Sequence, residues 1–494
     1  MGTEIKKKEQ TMMCAEELKI NNVRNKKLNS KETRKTSGIT LIALVVTIVV
    51  LLILAGITIS LVFSDTGIIA KAKEAAEKTN QAVINEQEQM NEVAGYLDNM
   101  LNEIGESGEE QNPPESTLPS DGSYSEEKGV NTPNLGEGMT PIKWDETKND
   151  WVETNGSDPD WYNYGETEST RKWANAKTSD GSMWVWIPRY AYSITSGYHS
   201  SSTGNIEVEF MKGLTNETST GRKSFDNVSG QGKWNIHPAF NYGTTVSGIW
   251  VAKFEASNSS GKIKVVPGVS SWRSITVNDI YTNCLNYNKT LNSHMMKNDE
   301  WGAVAYLSKS KYGKQNEEVW INNSSSCITG SAGNSASASI DTGTTNDYTS
   351  TQGIKASTTG TVHGAYDMSG GAWEYVAGYV NNGNGNLTSY GSSLVNGAVK
   401  TKNVYSKGSS DDRSSNYSAN SGKYGDAVYE TSTNGNSSNS SWYGDYSNFP
   451  STSAPFFLRG GYYSDSTGAG VFAFNDNGGN SYSIRSFRPV LVAL

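Results

Sequence analysis

Two hydrophobic patterns divide the chain into an anchor and a folded head. Residues 39–63 form a run of 25 residues without a charged side chain, and as a helix this run spans about 37 Å. Because the hydrocarbon core of a bilayer is about 30 Å thick, the run predicts one transmembrane helix. A cleaved secretory signal is the alternative, but its apolar core is shorter and ends at a small-residue cleavage site.

The segment after the apolar run is rich in strong helix formers, which predicts a stalk helix that continues to residue 105. A stripe of apolar residues at alternating spacings of three and four follows its later part: Met90, Val93, Leu97, Met100 and Ile104. This stripe suits a coiled coil with a partner helix or packing on its own chain. Residues 106–141 are rich in Glu, Ser, Gly and Pro, which predicts a flexible, disordered linker.

From residue 142 to 494, short aromatic-rich runs alternate with turn residues, a pattern typical of β-strands. The predicted strands include 183–187, 206–210, 248–254 and 262–266. One helix is predicted from Asp299 to Tyr312, with Asn298 or Asp299 as N-cap and Gly313 beyond its end. Many short strands and few helices predict an α+β domain.

Charge assigns a direction to the anchor. The leader, residues 1–38, holds ten Lys and Arg against five Glu, whereas the whole chain has a net charge of -9. Lys31, Arg34 and Lys35 lie directly before the apolar run, so the positive-inside rule predicts a single-pass protein with a cytoplasmic N-terminus and an extracellular C-terminal domain. The acidic remainder argues against a nucleic-acid partner.

The start of the apolar run resembles a type IV prepilin. The letters KTSG at 35–38, followed by ITLIALVV at 39–46, are similar to the prepilin leader and N-terminal helix. The resemblance implies that a prepilin peptidase cuts between Gly38 and Ile39 and leaves residues 39–105 as the pilin-like anchor and stalk. Such pilins usually carry Glu at the fifth mature position, where this chain has Ala43, so assembly with other pilin subunits into a pilus stays open.

A second resemblance covers residues 180–494 and concerns the formylglycine-generating-enzyme type of C-type lectin-like fold. Its motifs are WVWIPR at 184–189, HPAF at 237–240, WGAVAYL at 301–307, GAYDMSGGAWE at 364–374, RGG at 459–461 and FR at 487–488. The resemblance implies this fold for the ligand-binding domain, 142–494.

Enzymatic members of that superfamily need residues that this chain lacks. The sulfatase-modifying members use a cysteine pair beside the Arg-Gly-Gly element, and no cysteine follows Gly461. The related sulfoxide synthases need a histidine triad, and His363 is the only histidine in the last 195 residues. We therefore expect no enzymatic activity, no catalytic residue, no cofactor and no metal site. Cys284 and Cys327 form either one disulfide or two buried free thiols.

The C-terminal region resembles the variable proteins of diversity-generating retroelements. There a reverse transcriptase rewrites adenines, so that Asn codons become codons for residues such as Tyr, Ser, Asp, Thr, Ile, Gly or Arg. Between the frame segments 456–461 and 486–491, within a variable region of about 455–490, many residues belong to that set. The candidate ligand-binding residues are Tyr462, Tyr463, Asp465, Ser466, Asn475, Asp476, Asn477, Asn480, Ser481, Tyr482, Ser483, Ile484 and Arg485.

Scaffold residues are expected to hold these candidates in place: Trp373, Arg459, Gly460, Gly461, Phe487 and Arg488. Tyr supplies contact area at low entropic cost, and Ser, Gly and Asn adapt their hydrogen bonds. Residues 469–474 are expected to form a core strand between two variable loops. The sequence thus predicts a surface adhesin or receptor that binds a protein or glycan on another cell or a phage. The alternative is a minor pilin or pseudopilin with a structural, non-diversified head.

Overall fold

The computed structural model describes residues 120–341 and 345–494. The leader, the cleavage position between Gly38 and Ile39, the apolar run 39–63, the stalk to residue 105 and residues 106–119 lie outside this part of the chain. Among the described residues, no helix has the length and apolar character needed to cross a membrane.

The described residues form one compact α+β unit with many short strands and few helices. The strands are Tyr124–Ser125 (β1), Val130–Asn131 (β2), Met139–Asp145 (β3), Asp150–Glu153 (β4), Asn163–Tyr164 (β5), Arg171–Lys172 (β6), Asn175–Thr178 (β7), Met183–Pro188 (β8), Tyr190–Ser196 (β9), Asn205–Phe210 (β10), Asn235–Ile236 (β11), Gly248–Ala252 (β12), Ser257–Ser259 (β13), Lys262–Lys264 (β14), His294–Met295 (β15), Trp373–Val380 (β16), Asn403–Tyr405 (β17), Asn436–Ser437 (β18), Ser447–Asn448 (β19), Phe456–Gly460 (β20), Gly470–Asn477 (β21), Arg485–Phe487 (β22) and Pro489–Leu491 (β23). The α-helices are Val277–Tyr287 (α1), Asn298–Lys309 (α2), Gly385–Asn396 (α3) and Arg413–Ala419 (α4).

Two seven-stranded sheets carry most of the structure. The first has the order β15-β23-β12-β8-β7-β3-β4, and the second has the order β17-β16-β20-β21-β19-β18 with β22 beside β16. A smaller sheet has the order β10-β9-β11, and its strands lie between β8 and β12 along the chain. Strands β22 and β23 are consecutive along the chain but belong to different large sheets, so the residue between them, Arg488, joins the two.

Bulky aromatic side chains fill the core. Trp184 and Trp186 on β8 and Trp250 on β12 are at most 1 % exposed, and the rings of Trp186 and Trp250 lie 5.2 Å apart. Each aromatic ring removes a large apolar area from water, which explains how a Gly-rich, loop-rich chain builds a stable interior. Strand β23 pairs with β12 and β15, which ties the C-terminus into this core.

Several sequence predictions can be compared with these elements. The prediction of an α+β unit is confirmed, and the four predicted strands correspond to β8, β10, β12 and β14. The predicted strand at 469–474 corresponds to β21. The predicted helix is present as α2, but its bounds were wrong: Lys297 is the N-cap and the helix ends at Lys309. The side chain of Glu300 accepts the Lys297 amide (2.8 Å), and this bond starts the helix one residue early.

The prediction of a flexible linker through residue 141 is wrong for residues 120–141. Val130 and Asn131 are fully buried, and Pro141 at the end of this stretch pairs with Ala176 on β7. The Asn131 amide group donates to the Ser247 carbonyl (2.9 Å) and its carbonyl accepts the Gly213 amide (2.7 Å). A single polar side chain that satisfies two distant backbone groups fixes this low-hydrophobicity segment to the head, a contact that composition does not reveal.

Candidate functional site

The two scaffold arginines are buried between the sheets. Arg488 forms an ion pair with Glu374 on β16 (2.6 Å) and donates to the carbonyls of Ala252 (2.8 Å) and Tyr366 (2.9 Å). Although burial opposes its charge, the Glu374 carboxylate raises the pKa of Arg488 above its ordinary value. Since these partners come from both large sheets and a connecting loop, one guanidinium fixes their relative positions.

Arg459 on β20 has a similar role in the second sheet. Its guanidinium donates to the Asn298 side chain (3.1 Å) and to the carbonyls of Asp426 (3.1 Å) and Ala427 (3.1 Å). It is fully buried, and its charged group lies 5.6 Å from the Trp301 ring centre. Arg459 therefore has no surface available for a ligand and acts as a positioning residue.

Gly460 and Gly461 turn the chain out of β20 into the first candidate segment. Their φ angles are +86° and +79°, a region that side chains with a Cβ rarely adopt. A Cβ on Gly461 would also lie 2.5 Å from Ala469 Cα. The geometry of this turn therefore requires glycine.

The first candidate segment follows this turn and packs beside Trp373. The Tyr463 amide donates to the Gly371 carbonyl (3.0 Å), and the rings of Tyr462 and Tyr463 meet edge to face at 5.1 Å. Asp465 accepts the Tyr462 amide (3.0 Å), and the Ser466 hydroxyl donates to the Ser337 carbonyl (2.8 Å). Burial raises the pKa of Asp465 to about 7, although hydrogen bonds from the Tyr462 amide and the Trp373 side chain oppose the shift.

The candidates at the end of β21 serve the scaffold. Asp476 is 8 % exposed and accepts two hydrogen bonds from the Arg413 guanidinium, at 2.9 and 2.7 Å. The Asn477 carbonyl oxygen accepts from the Tyr375 hydroxyl (2.5 Å) and from Arg485 Nη1 (2.8 Å). Asn475 accepts the amide of the next residue (2.9 Å). Much of the hydrogen-bonding capacity of these side chains is therefore used within the protein, as Asp476, Asn477 and Arg485 show.

The second candidate segment returns from β21 to β22 across the protein surface. Ser481, Tyr482 and Ser483 are exposed, and Tyr482 retains 52 % of its accessible surface. Asn480 accepts a long hydrogen bond from Arg485 (3.4 Å), whose guanidinium lies 4.8 Å from the Tyr482 ring centre. This contact orients an otherwise open aromatic side chain.

The two candidate segments share one anchoring point. Residue Gly371 accepts from Tyr463, and two positions later the Trp373 amide donates to the Ile484 carbonyl (3.0 Å). Six candidates from both segments are exposed or half-buried and have side chains without a hydrogen bond to the described part of the chain. We call them the terminal surface: Tyr462, Tyr463, Ser481, Tyr482, Ser483 and Ile484. The three tyrosine hydroxyls of this surface have no hydrogen-bond partner among the described residues, so they are available to an external one.

Other parts of the chain support the terminal surface in ways that sequence reasoning missed. Arg273 donates to the Ser483 carbonyl (3.0 Å), and the neighbouring Trp272 ring lies 5.8 Å from Phe487. The Tyr446 ring lies 5.8 Å from Trp373. Arg273 and Ser483 are 210 residues apart, and no local pattern marks such a contact.

The cysteines take the free-thiol alternative. Cys284 and Cys327 are both buried and unbonded, and Cys327 donates weakly to the Gly371 carbonyl (3.3 Å). Burial raises the pKa of Cys327 to about 12, so this thiol stays protonated and unreactive at neutral pH. Within residues 120–341 and 345–494, no group of three or more His, Cys, Asp or Glu side chains is arranged to hold a metal ion.

Comparison with known proteins adds no family assignment. No protein-family model matches the chain, and no curated protein matches it either.

Proposed function

We propose that this chain is a membrane-anchored, pilin-like surface protein whose C-terminal domain displays a retroelement-diversified ligand-binding surface and acts as an adhesin or receptor. The proposal includes the finer fold assignment, a C-type lectin-like fold of the formylglycine-generating-enzyme type without enzymatic activity. Residues 39–63 are its membrane anchor, and prepilin peptidase processes it after Gly38.

One observation carries the binding proposal. The terminal surface presents three tyrosines, two serines and one isoleucine, while Trp373, Phe487 and the two scaffold arginines beneath it are at most 4 % exposed. Loops that vary on a rigid frame are the usual location of binding residues. Aromatic rings with free hydroxyls suit a protein or glycan ligand, since they offer apolar area and hydrogen bonds together.

The DNA tests the diversification directly. We expect a second copy of the sequence that encodes residues 455–490, differing from it at adenines, close to a gene for a reverse transcriptase. The differences should concentrate in the codons of the terminal surface. A single copy without a reverse transcriptase gene nearby would contradict the diversification.

Binding needs a separate test on cells. Cells that display the full chain should adhere to a target cell or phage, and replacing Tyr462, Tyr463 and Tyr482 together with Ala should abolish adhesion without lowering the amount of surface protein. A matched triple variant at Thr147, Ser157 and Thr349, which are polar positions elsewhere on the head, should adhere as the parent does. Equal adhesion of the two triple variants would show that the terminal surface does not bind the ligand.

Anchoring and filament assembly have their own readout. Protease added to intact cells should release the head, and antibodies to residues 1–38 should reach their epitope only in permeabilised cells that lack prepilin peptidase. Purified pili should lack the protein. Its recovery as a stoichiometric pilus component would favour a minor pilin instead.

A further inference from the structure

The outer edge of strand β10 is open. β10 is the end strand of the sheet β10-β9-β11. The Phe210 carbonyl accepts the Ser219 amide (2.7 Å) on the side away from β9, whereas the Met211 amide donates to Arg189 at the base of β9 (2.9 Å). Because successive residues of a strand direct their backbone groups to opposite edges, Ile206 and Val208 share the outward direction of Phe210.

The backbone groups of Ile206 and Val208 on this edge lack a partner in the described part of the chain. They border a groove of about 560 Å³, which is within the range of protein ligand sites. The groove is lined by β10 and Trp234 and by the end of α2 and the turn after it, including Tyr312 and Gln315. The groove therefore runs along an unpaired strand edge.

Lys309 gives the groove a specific charge. It is 7 % exposed, and its ammonium group donates to the Gln315 carbonyl (2.7 Å). Among the described residues no carboxylate lies within ion-pair distance of it, although an ammonium group has three donors. Burial lowers the pKa of Lys309 to about 8. A carboxylate arriving from outside would supply the missing acceptor.

The other charges of the groove are already compensated or exposed. Lys311 pairs with Glu166 (2.7 Å). Glu209 accepts from the Arg222 guanidinium at 2.9 and 3.2 Å and from two threonine hydroxyls. Glu207 is exposed to solvent on the outer face of β10. The site thus favours a single carboxylate opposite Lys309, not a polyanion.

We propose that the groove beside β10 binds an extended peptide segment of a partner protein, which pairs its backbone with Ile206 and Val208 and directs one acidic side chain at Lys309. In this mode of recognition, main-chain hydrogen bonds supply affinity and a side-chain contact supplies selectivity. Alternate residues of a strand are spaced by about 6.6 Å, so a second strand matches the donors and acceptors of this edge. An oligosaccharide would contact Trp234, but it lacks the regular backbone donors and acceptors that match this strand edge. The site shares no residue with the terminal surface and stands independently of the proposed function.

A selection experiment with the full chain in detergent micelles tests the proposal. Phage that display random hexapeptides should enrich for sequences with β-branched residues and one Asp or Glu at a constant position. Methylation of those backbone nitrogens of the best synthetic peptide that face β10 should weaken its binding at least tenfold. Lys309→Met should weaken binding about tenfold and remove the preference for Glu over Gln in the peptide. The matched variant Lys311→Met should change affinity less than twofold.

Several results would overturn the proposal. They are no enrichment of peptides, equal affinity of methylated and unmethylated peptides, or equal effects of Lys309→Met and Lys311→Met. Binding of chitotriose that displaces the selected peptide and is lost in Trp234→Ala would assign the groove to a glycan. A dimer of this chain that forms through β10 and excludes every peptide would assign it to self-association. If Lys309→Met fails to fold, as judged by its denaturation midpoint, the affinities of the methylated and unmethylated peptides for the parent protein still test the proposal.

Discussion

The two scaffold arginines and the terminal surface occupy the same last forty residues but use their side chains in opposite ways. Arg488 and Arg459 are fully buried, and each satisfies backbone carbonyls from distant segments. Ser481, Tyr482 and Ser483 are exposed and belong to a loop whose backbone is held by neighbours. The difference teaches that stability and surface chemistry are separated here. We therefore expect substitutions in the loop to leave the buried network intact.

The candidate residues do not all fall on one side of this comparison. Asp476 and Asn477 are, like Tyr482, residues that the proposed rewriting of Asn codons can produce, yet they accept hydrogen bonds from the Arg413 and Tyr375 side chains. A codon describes which residues can arise at a position, whereas burial decides which of them the fold accepts. We therefore expect functional variation to concentrate in the terminal surface.

Removal of the Arg488 guanidinium should have the largest effect on stability. Arg488→Met leaves Glu374 as an uncompensated buried charge and two carbonyls without donors, so the free energy of unfolding should fall by about 3 to 5 kcal/mol. Denaturant titration of the full chain measures this change. Arg273→Met, which removes a partly exposed guanidinium near the terminal surface, should cost less than about 1 kcal/mol. An equal loss of unfolding free energy in the two variants would contradict the separation of stability from surface chemistry.

The turn at Gly461 should show the next largest effect. Gly461→Ala combines a φ of +79° with a Cβ that approaches Ala469, so the free energy of unfolding should fall by about 1 to 3 kcal/mol. Gly385→Ala is the matched control, because a Cβ there meets nothing within 4 Å at a helix start. That control should be neutral or slightly stabilising. A comparable loss of unfolding free energy in both variants would show that the turn at Gly461 has no special role in stability.

Asp465 should make the border between the two regions sensitive to pH. Burial raises the pKa of Asp465 to about 7 from an ordinary value of 3.8. Between pH 4 and 7 the unfolded chain has released this proton and the folded chain retains it, so this group lowers stability as pH rises. Relative to the parent, Asp465→Asn should gain about 1 to 2 kcal/mol from pH 4 to pH 8.

Chemical denaturation at the two pH values measures this gain. Asp121→Asn is a control that should show little change between these pH values, because hydrogen bonds from Ser123 lower the pKa of Asp121 and its effect on stability falls below about pH 4. A stability difference between Asp465→Asn and the parent that is the same at both pH values would show that Asp465 titrates normally.

Substitutions on the terminal surface should have the smallest effect on stability. Ser481→Ala, Tyr482→Ala and Ser483→Ala should each change the free energy of unfolding by less than about 0.5 kcal/mol, because their side chains are exposed. Asp476→Ala, at another of the thirteen candidates, should cost about 1 to 3 kcal/mol because Arg413 loses its carboxylate partner. Thermal denaturation of the four variants tests this division, and a loss in Ser481→Ala as large as that in Asp476→Ala would refute it.

The sequence predicted elements more successfully than their partners. Strands β8, β10 and β12 were predictable because their runs of apolar and β-branched residues are local signals. The N-terminal boundary of the head was not, because residues 120–141 are polar and attach through Asn131 to backbone groups about 80 and 116 positions away. The burial of Asp476 was equally invisible, since its partner Arg413 lies on a separate helix.

The amino-acid sequence by itself determined the α+β character of the head, the positions of several strands and the glycines at the end of β20. These features depend on local patterning and on backbone conformations that particular residue types favour. The tertiary structure alone decided which of the thirteen candidates face solvent, because exposure depends on contacts between segments far apart in the chain. Trp373 and Gly371 bring two such segments together, and that meeting defines the terminal surface.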